Sequence, residues 1–312
     1  MAVSAVRYHE IPRFFPTGMP LMFRIVLLSL VMTVLCSPRS PGGESGRQED
    51  DGRIIFTATV DRIVGDETNQ CSWDYKPTRW GMYEVSLTYA NTGPAGSEVE
   101  VACDAAKVVG TLATTGSVDR DAKLSLGRLY VADTKPRTLT VRYSRQVDGA
   151  VMVKTVTLSP ACEGKPPTQA DDGVVTLHGR DATVQGTVLR YEPAEKKQTL
   201  GFWTRPTDAA VWSFTVTQAG TFDVEVLQGC GPGQGGSVMT VAVDAGQQAA
   251  AEPLEFTVEA TGGFQDFRPR MIGSVGSLAA GQHTLRIMPK QIAKQAACDI
   301  RQVRLVPVTP AP

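Results

Sequence analysis

The sequence predicts an all-β protein of two tandem antiparallel β-sandwich domains after a signal peptide, and three observations predict it. The first is an internal repeat between residues 72–160 and 211–307. Trp73 falls on Trp212, Gly81 on Gly220 and Val85 on Val224 at one offset, with Tyr75 and Tyr83 on Phe214 and Phe222. One residue later Ser97, Val101, Ala102 and Asp104 fall on Ser237, Val241, Ala242 and Asp244. Further on, Thr115-Gly116 meets Thr261-Gly262, Gly127 meets Gly273, and Thr138-Leu139 meets Thr284-Leu285. The matches select aromatic, glycine and inward apolar positions, which is the mark of a duplicated fold. The second observation is a hydrophobic period of two in short runs closed by Gly, Pro or Asp, with no long amphipathic helix. Thus Phe222, Val224 and Val226 alternate with Asp223 and Glu225, one face for the core and one for water. The third is an apolar run at residues 25–35 behind Arg7, Arg13 and Arg24, the length of a secretory h-region and short for a membrane span.

In chain order, residues 1–36 read as the signal peptide, with Met19 and Met22 as alternative starts. Cys36 invites lipidation, but Leu35 stands where lipoprotein signals usually carry a small residue. Residues 37–52 hold no large apolar side chain and read as a disordered spacer. Residues 53–161 form the first, degenerate sandwich. A proline-bearing, polar stretch at 162–173 reads as an extended linker. Residues 174–307 form the second sandwich, and 308–312 a tail. The localisation expected is secreted or periplasmic, with membrane attachment only through an uncleaved signal segment.

A formal net charge of -1 and a pI near 6.3 provide no general attraction to nucleic acid. Beyond Cys36 there are Cys71, Cys103, Cys162, Cys230 and Cys298, an odd number, so at least one thiol stays unpaired. Cys230 and Cys298 are spaced to meet within the second unit, but their counterparts Asn91 and Met152 show that the fold does not require the bridge.

The second unit reads Leu177-His-Gly-Arg-Asp181, Leu189-Arg-Tyr-Glu192, Leu200-Gly-Phe-Trp203, Val211-Trp-Ser-Phe214, Ala219-Gly-Thr-Phe222, Gly231-Pro-Gly-Gln-Gly235, Thr261-Gly-Gly-Phe264, Ala280-Gly-Gln-His283 and Asp299-Ile-Arg301. This ordered series resembles the galactose-binding-like jelly rolls, in particular family 6 carbohydrate-binding modules. It is similar to a module found after the catalytic domain of secreted bacterial sulfatases. The resemblance implies a jelly-roll sandwich and a glycan partner. Carried over by position, it makes Phe264 a sugar-stacking platform, with Trp203 or Tyr191 as a second wall. Trp212, Phe214 and Phe267 alternate as core residues.

Two departures limit the transfer. The family's first strand carries two glutamates that bind a structural calcium, and His178 and Arg180 stand in their places here. Asp299 alone matches a remaining ligand, with pairing to Arg180 as its other reading, so no calcium is expected. The sugar-binding asparagine two positions before it is Ala297. In the first unit the loop between its first strand, residues 54–60, and Trp73 is short, and Val118 replaces Phe264, which marks a scaffold or a differently used copy.

The three histidines, His9, His178 and His283, accompany no nucleophile elbow, phosphate loop or metal cluster. Asp50-Asp51 and Asp171-Asp172 lie in the spacers, so no catalytic residue, metal ligand or cofactor is expected. Two functions from different classes remain. One is a non-catalytic module that binds a polysaccharide or glycan weakly through loops of the second domain. The other is a structural or protein-interaction protein, with another extracytoplasmic protein as its partner.

Overall fold

The computed structural model describes residues 46–58, 69–144, 149–244 and 252–308. The signal-peptide reading, residues 37–45 of the spacer and the last four residues lie outside the described residues.

The first sandwich contains β1 (Arg47–Gln48), β2 (Ile54–Thr57), β3 (Gln70–Tyr75), β4 (Gly81–Asn91), β5 (Ser97–Cys103), β6 (Ala106–Leu112), β7 (Ala122–Val131), β8 (Arg137–Tyr143) and β9 (Val151–Pro160). One sheet runs β1-β2-β9-β4-β7 and the other β3-β8-β5-β6. The second contains β10 (Val175–His178), β11 (Thr183–Gln185), β12 (Arg190–Glu192), β13 (Thr199–Gly201), β14 (Ala209–Val216), β15 (Gly220–Cys230), β16 (Val238–Asp244), β17 (Leu254–Thr257), β18 (Gly263–Leu278), β19 (Gly281–Gln291) and β20 (Asp299–Pro307). Its sheets run β12-β13-β20-β15-β18, with β10 also on β20, and β11-β14-β19-β16-β17. All strand pairs are antiparallel, and the described residues contain no α-helix. Strand order is the same in both halves once β1, β11, β12 and β13 are set aside, with β10 on β20 as β2 is on β9.

The repeat is chemical as well as topological. Trp73 and Trp212 are both buried, and they donate their indole N–H groups to the last carbonyls of β2 and β10 respectively. The acceptors are Thr57 at 3.0 Å and His178 at 2.7 Å. Thr115 and Thr261 each tie a loop to the end of the long central strand. The Thr115 hydroxyl accepts from the Asn91 N–H at 2.9 Å, and that of Thr261 from the Cys230 N–H at 2.8 Å. The ladders β4·β7 and β15·β18 slip register at matching points, after Val85 and after Val224.

Two separate hydrophobic clusters result. One holds Phe56, Trp73, Tyr83, Leu87, Tyr89, Leu139 and Leu158; the other holds Trp203, Trp212, Phe214, Phe222, Val241, Leu285 and Ile287. Each such fully buried side chain contributes about 1.5–3 kcal/mol. Their alternation along the strands is the period of two read from the sequence.

Three expectations need correction. Residues 46–52 are not spacer: Arg47 and Gln48 pair with Ile55 and Ile54, and Gly46 packs on the Phe56 ring. Backbone pairing needs no apolar side chain, so composition could not reveal it. The 162–173 segment is docked, not free. Cys162 is buried, and the Gln169 side-chain oxygen accepts from the N–H groups of Thr217 and Gln218 at 2.9 and 2.7 Å. Phe267 lies half-exposed under the Arg301 guanidinium, 3.9 Å from its ring centroid, rather than in the core.

The described residues fall in one compact unit, 43–312, in which the two sandwiches touch through residues 78–80 and through the Gly186 N–H, which donates to Asp51 O at 3.0 Å. Arg79, only 3% exposed, donates to the carbonyls of Gly186 and Val184, each at 3.3 Å, and lies over the Tyr83 ring. The Trp80 indole N–H donates to Tyr191 O at 3.0 Å.

Candidate functional site

The short strand β13 is flanked by two non-glycine residues in the left-handed region, Gln198 at φ 45° and Phe202 at φ 64°. Among the described residues the others are Asn69 and Asp104, types that tolerate this conformation; a bulky aromatic does not adopt it without compensation. The compensation is visible on both sides of the turn. Leu200 is fully buried before it, and Trp203 after it is fully buried with its indole N–H donated to Asp208 O at 2.9 Å. Asp208 is itself fixed by accepting from the N–H groups of Thr187, Val188 and Leu189 at 3.2, 2.9 and 2.7 Å. The turn therefore drives Trp203 inward and leaves Phe202 outside, 41% exposed.

Trp203 as a sugar-stacking wall is thereby corrected: no face of it is open to a ligand. Phe264 is half-buried and, with Phe202, lines a cavity of about 350 Å³. Its ring lies against Gly231, where a Cβ would come within 2.9 Å of the ring edge. The Phe202 ring meets Trp80 of the first sandwich edge-on, centroids 5.6 Å apart. The Arg190 guanidinium sits 4.0 Å from the Phe202 centroid and 4.2 Å from that of Trp80, bracing both by cation–π attraction.

The rest of this cavity is polar. Gln234, Gln265 and Gln295 supply carboxamides and Thr204 a hydroxyl, while Glu192 and Asp299 present carboxylates and Lys197 an ammonium. Lys197 forms an ion pair with Glu192. Glu192 and Asp299 both crowd Gly201, where a Cβ would lie 2.4 Å from Glu192 Oε2 and 3.2 Å from Asp299 Oδ1. Burial, and then the charge of Glu192, push the Asp299 carboxyl up to about 7, against smaller opposing effects of Lys197 and Gln265. Asp299 does not pair with Arg180, whose acidic neighbour is Asp181 at 3.7 Å.

Tyr191 is not in this cavity. Along β12, Arg190 and Glu192 turn to the buried side, so the intervening Tyr191 faces the other way, into a separate cavity with His178 and Arg180. Of the three expected aromatics, the site therefore holds one. Sequence reading missed Phe202, Glu192 and Trp80, and it knew Asp299 only as a matching calcium ligand or a partner of Arg180. The alternation of Arg190 with Glu192 could have placed the latter on the Arg190 side.

Among the described residues, no group of three or more His, Cys, Asp or Glu is placed to hold a metal ion. Cys71, Cys103, Cys162, Cys230 and Cys298 are all buried, and no disulfide joins them among the described residues.

No family model matches the chain, and no curated protein matches it. Solved structures do. A β-(1,4)-mannanase of Podospora anserina, a family 26 glycoside hydrolase joined to a family 35 carbohydrate-binding module, is 21% identical, with a TM-score of 0.36. The match covers 45% of this chain and 29% of that one. The C-terminal family 6 carbohydrate-binding module of a marine laminarinase from Zobellia galactanivorans is 14% identical over 43% of this chain and 98% of its own, TM-score 0.34. A family 6 module of Cellvibrio mixtus lichenase 5A, in complex with cellotriose, is 18% identical over 43% and 97%, TM-score 0.34. The chain thus spans less than a third of the mannanase, and each of these modules corresponds to less than half of this chain.

Proposed function

We propose that this protein binds neutral sugar residues of a polysaccharide or glycan in the cavity between Phe202 and Phe264, without acting on them chemically. The observation that carries this reading is Phe202. A left-handed backbone costs an L-residue roughly 1–2 kcal/mol, and here it exposes a large aromatic face beside a second one. Such faces take the C–H side of a pyranose ring, and the surrounding carboxamides and carboxylates suit its hydroxyls.

Binding is favoured over hydrolysis by the placement of the carboxyls. Glycoside hydrolysis uses two carboxyl groups on opposite sides of the scissile bond, whereas Glu192 and Asp299 converge on Gly201 at one wall. The first sandwich acts as a brace that positions Trp80 behind Phe202. Export to the periplasm or beyond fits the apolar run at residues 25–35. Affinity electrophoresis through gels containing neutral polysaccharides tests the reading: at least one gel retards the wild type and fails to retard Phe264→Ala. Equal mobility of both proteins in every gel contradicts it.

A further inference from the structure

A second cavity, also of about 350 Å³, opens beside β10 and β20 and is lined by His178, Arg180, Tyr191, Gln198, Arg301 and Gln302. From these side chains and their bonding we infer a binding site for a compact oxyanion, the carboxylate or sulfate group of an acidic sugar.

The lining contains two guanidinium groups and an imidazole but no carboxylate. Arginine forks match carboxylate and sulfate oxygens, and such charge-assisted bonds are about twice as strong as neutral ones. Arg301 is held in place by the carbonyls it serves. Its Nε donates to Lys197 O at 3.1 Å and its Nη2 to Lys196 O and Lys197 O, each at 2.9 Å. The stack on Phe267 fixes the plane of the same guanidinium, and Nη1 takes no part in these bonds.

Arg180 lies on the turn Gly179–Asp181, with a side chain 62% exposed. Its neighbour Asp181 is 3.7 Å away, and Asp181 Oδ1 also accepts from the Lys165 N–H at 3.2 Å, so that charge is shared. His178 and Gln302 are cross-strand partners in β10·β20 and place an imidazole and a carboxamide side by side. Gln198, like Phe202, is a non-glycine residue in the left-handed conformation at a cavity wall, a cost that clusters at ligand sites. Tyr191 adds a half-buried ring for the apolar face of a sugar.

The two cavities lie on either side of residues 197–198: Lys197 lines the one with Glu192 and Asp299, and Gln198 lines this one. Opposite charge on the two walls separates their ligands, neutral sugar in the first and anionic sugar in the second.

The test titrates the full-length protein with trigalacturonate, a sulfated galactan trisaccharide and neutral galactotriose, following binding by calorimetry. At least one anionic probe should bind about tenfold more tightly than the neutral one. That preference should be lost in Arg180→Gln, kept in Phe202→Ala, and weakened by raising the salt. Preference for one anion over the other identifies the group the cavity takes. Equal binding of all three probes, or an anionic preference untouched by Arg180→Gln, overturns the inference. Because Phe202→Ala affects only the neutral-sugar cavity, failure there leaves this result standing, and the reverse also holds.

Discussion

Phe202 and Trp203, adjacent in the chain, face opposite sides of the second sandwich: the first is 41% exposed and the second fully buried. The φ of 64° at Phe202 leads to three predictions. Trp203→Ala should cost about 3–5 kcal/mol in urea unfolding, the range for truncating a core aromatic. Phe202→Ala should cost about 1 kcal/mol, the loss of its contact with Arg190. Phe202→Gly, free of left-handed strain, should be more stable than Phe202→Ala by about 1 kcal/mol. An alanine variant more stable than the glycine one would contradict the conformation.

Stability should fall as the pH rises from about 4 to 7. Asp299 is held up to about 7 by burial and by Glu192, against an ordinary value of 3.8. Below 3.8 both folded and unfolded states are protonated. Between the two values only the unfolded state has lost the proton, so the unfolded state gains relative to the native one. Above 7 the loss is complete, on the order of 4 kcal/mol if Asp299 acts alone. Melting curves from pH 4 to 8 check this, and Asp299→Asn should flatten them and raise the melting temperature at pH 8.

Arg79 couples the sandwiches. Arg79→Ala removes donors from the carbonyls of Gly186 and Val184 and should cost about 3 kcal/mol, as charged hydrogen bonds lost from a buried site do. Urea unfolding followed by tryptophan fluorescence should change from one transition in the wild type to two in the variant. A single unshifted transition would deny the contact any role in stability.

Gly231→Ala should separate binding from folding. The added methyl meets the edge of the Phe264 ring at 2.9 Å, and a surface ring can swing aside. Glycan affinity should drop about fivefold, with the melting temperature nearly unchanged. A variant with wild-type affinity would place Phe264 outside the site.

The sandwich architecture was legible because it rests on alternation and repeat: Trp73 and Trp212 share one inward position and one indole hydrogen bond. Phe264 came instead from the resemblance, through the Thr261-Gly262-Gly263-Phe264 segment, and the structure places it at a cavity wall. Phe202 was not legible, because the sign of one φ decides whether Phe202 or Trp203 meets solvent, and that sign depends on Trp203 reaching Asp208 O. The pairing of Glu192 with Asp299 was hidden too, since β12 and β20 approach through β13 and only Gly201 leaves room for both carboxyls. Arg79 and Trp80 fall on Gln218 and Ala219 in the repeat, which share none of their chemistry, and their bonds to Gly186, Val184 and Tyr191 reach into the second sandwich.

The most direct measurement of the central claim is calorimetric titration of wild type and Phe202→Ala with the neutral oligosaccharide that a glycan array ranks first. The account predicts a loss of about 1–2 kcal/mol in binding free energy for the variant, the worth of one aromatic contact and its buried area, with folding intact. Unchanged affinity in Phe202→Ala, or no neutral glycan bound by the wild type across the array, would contradict it.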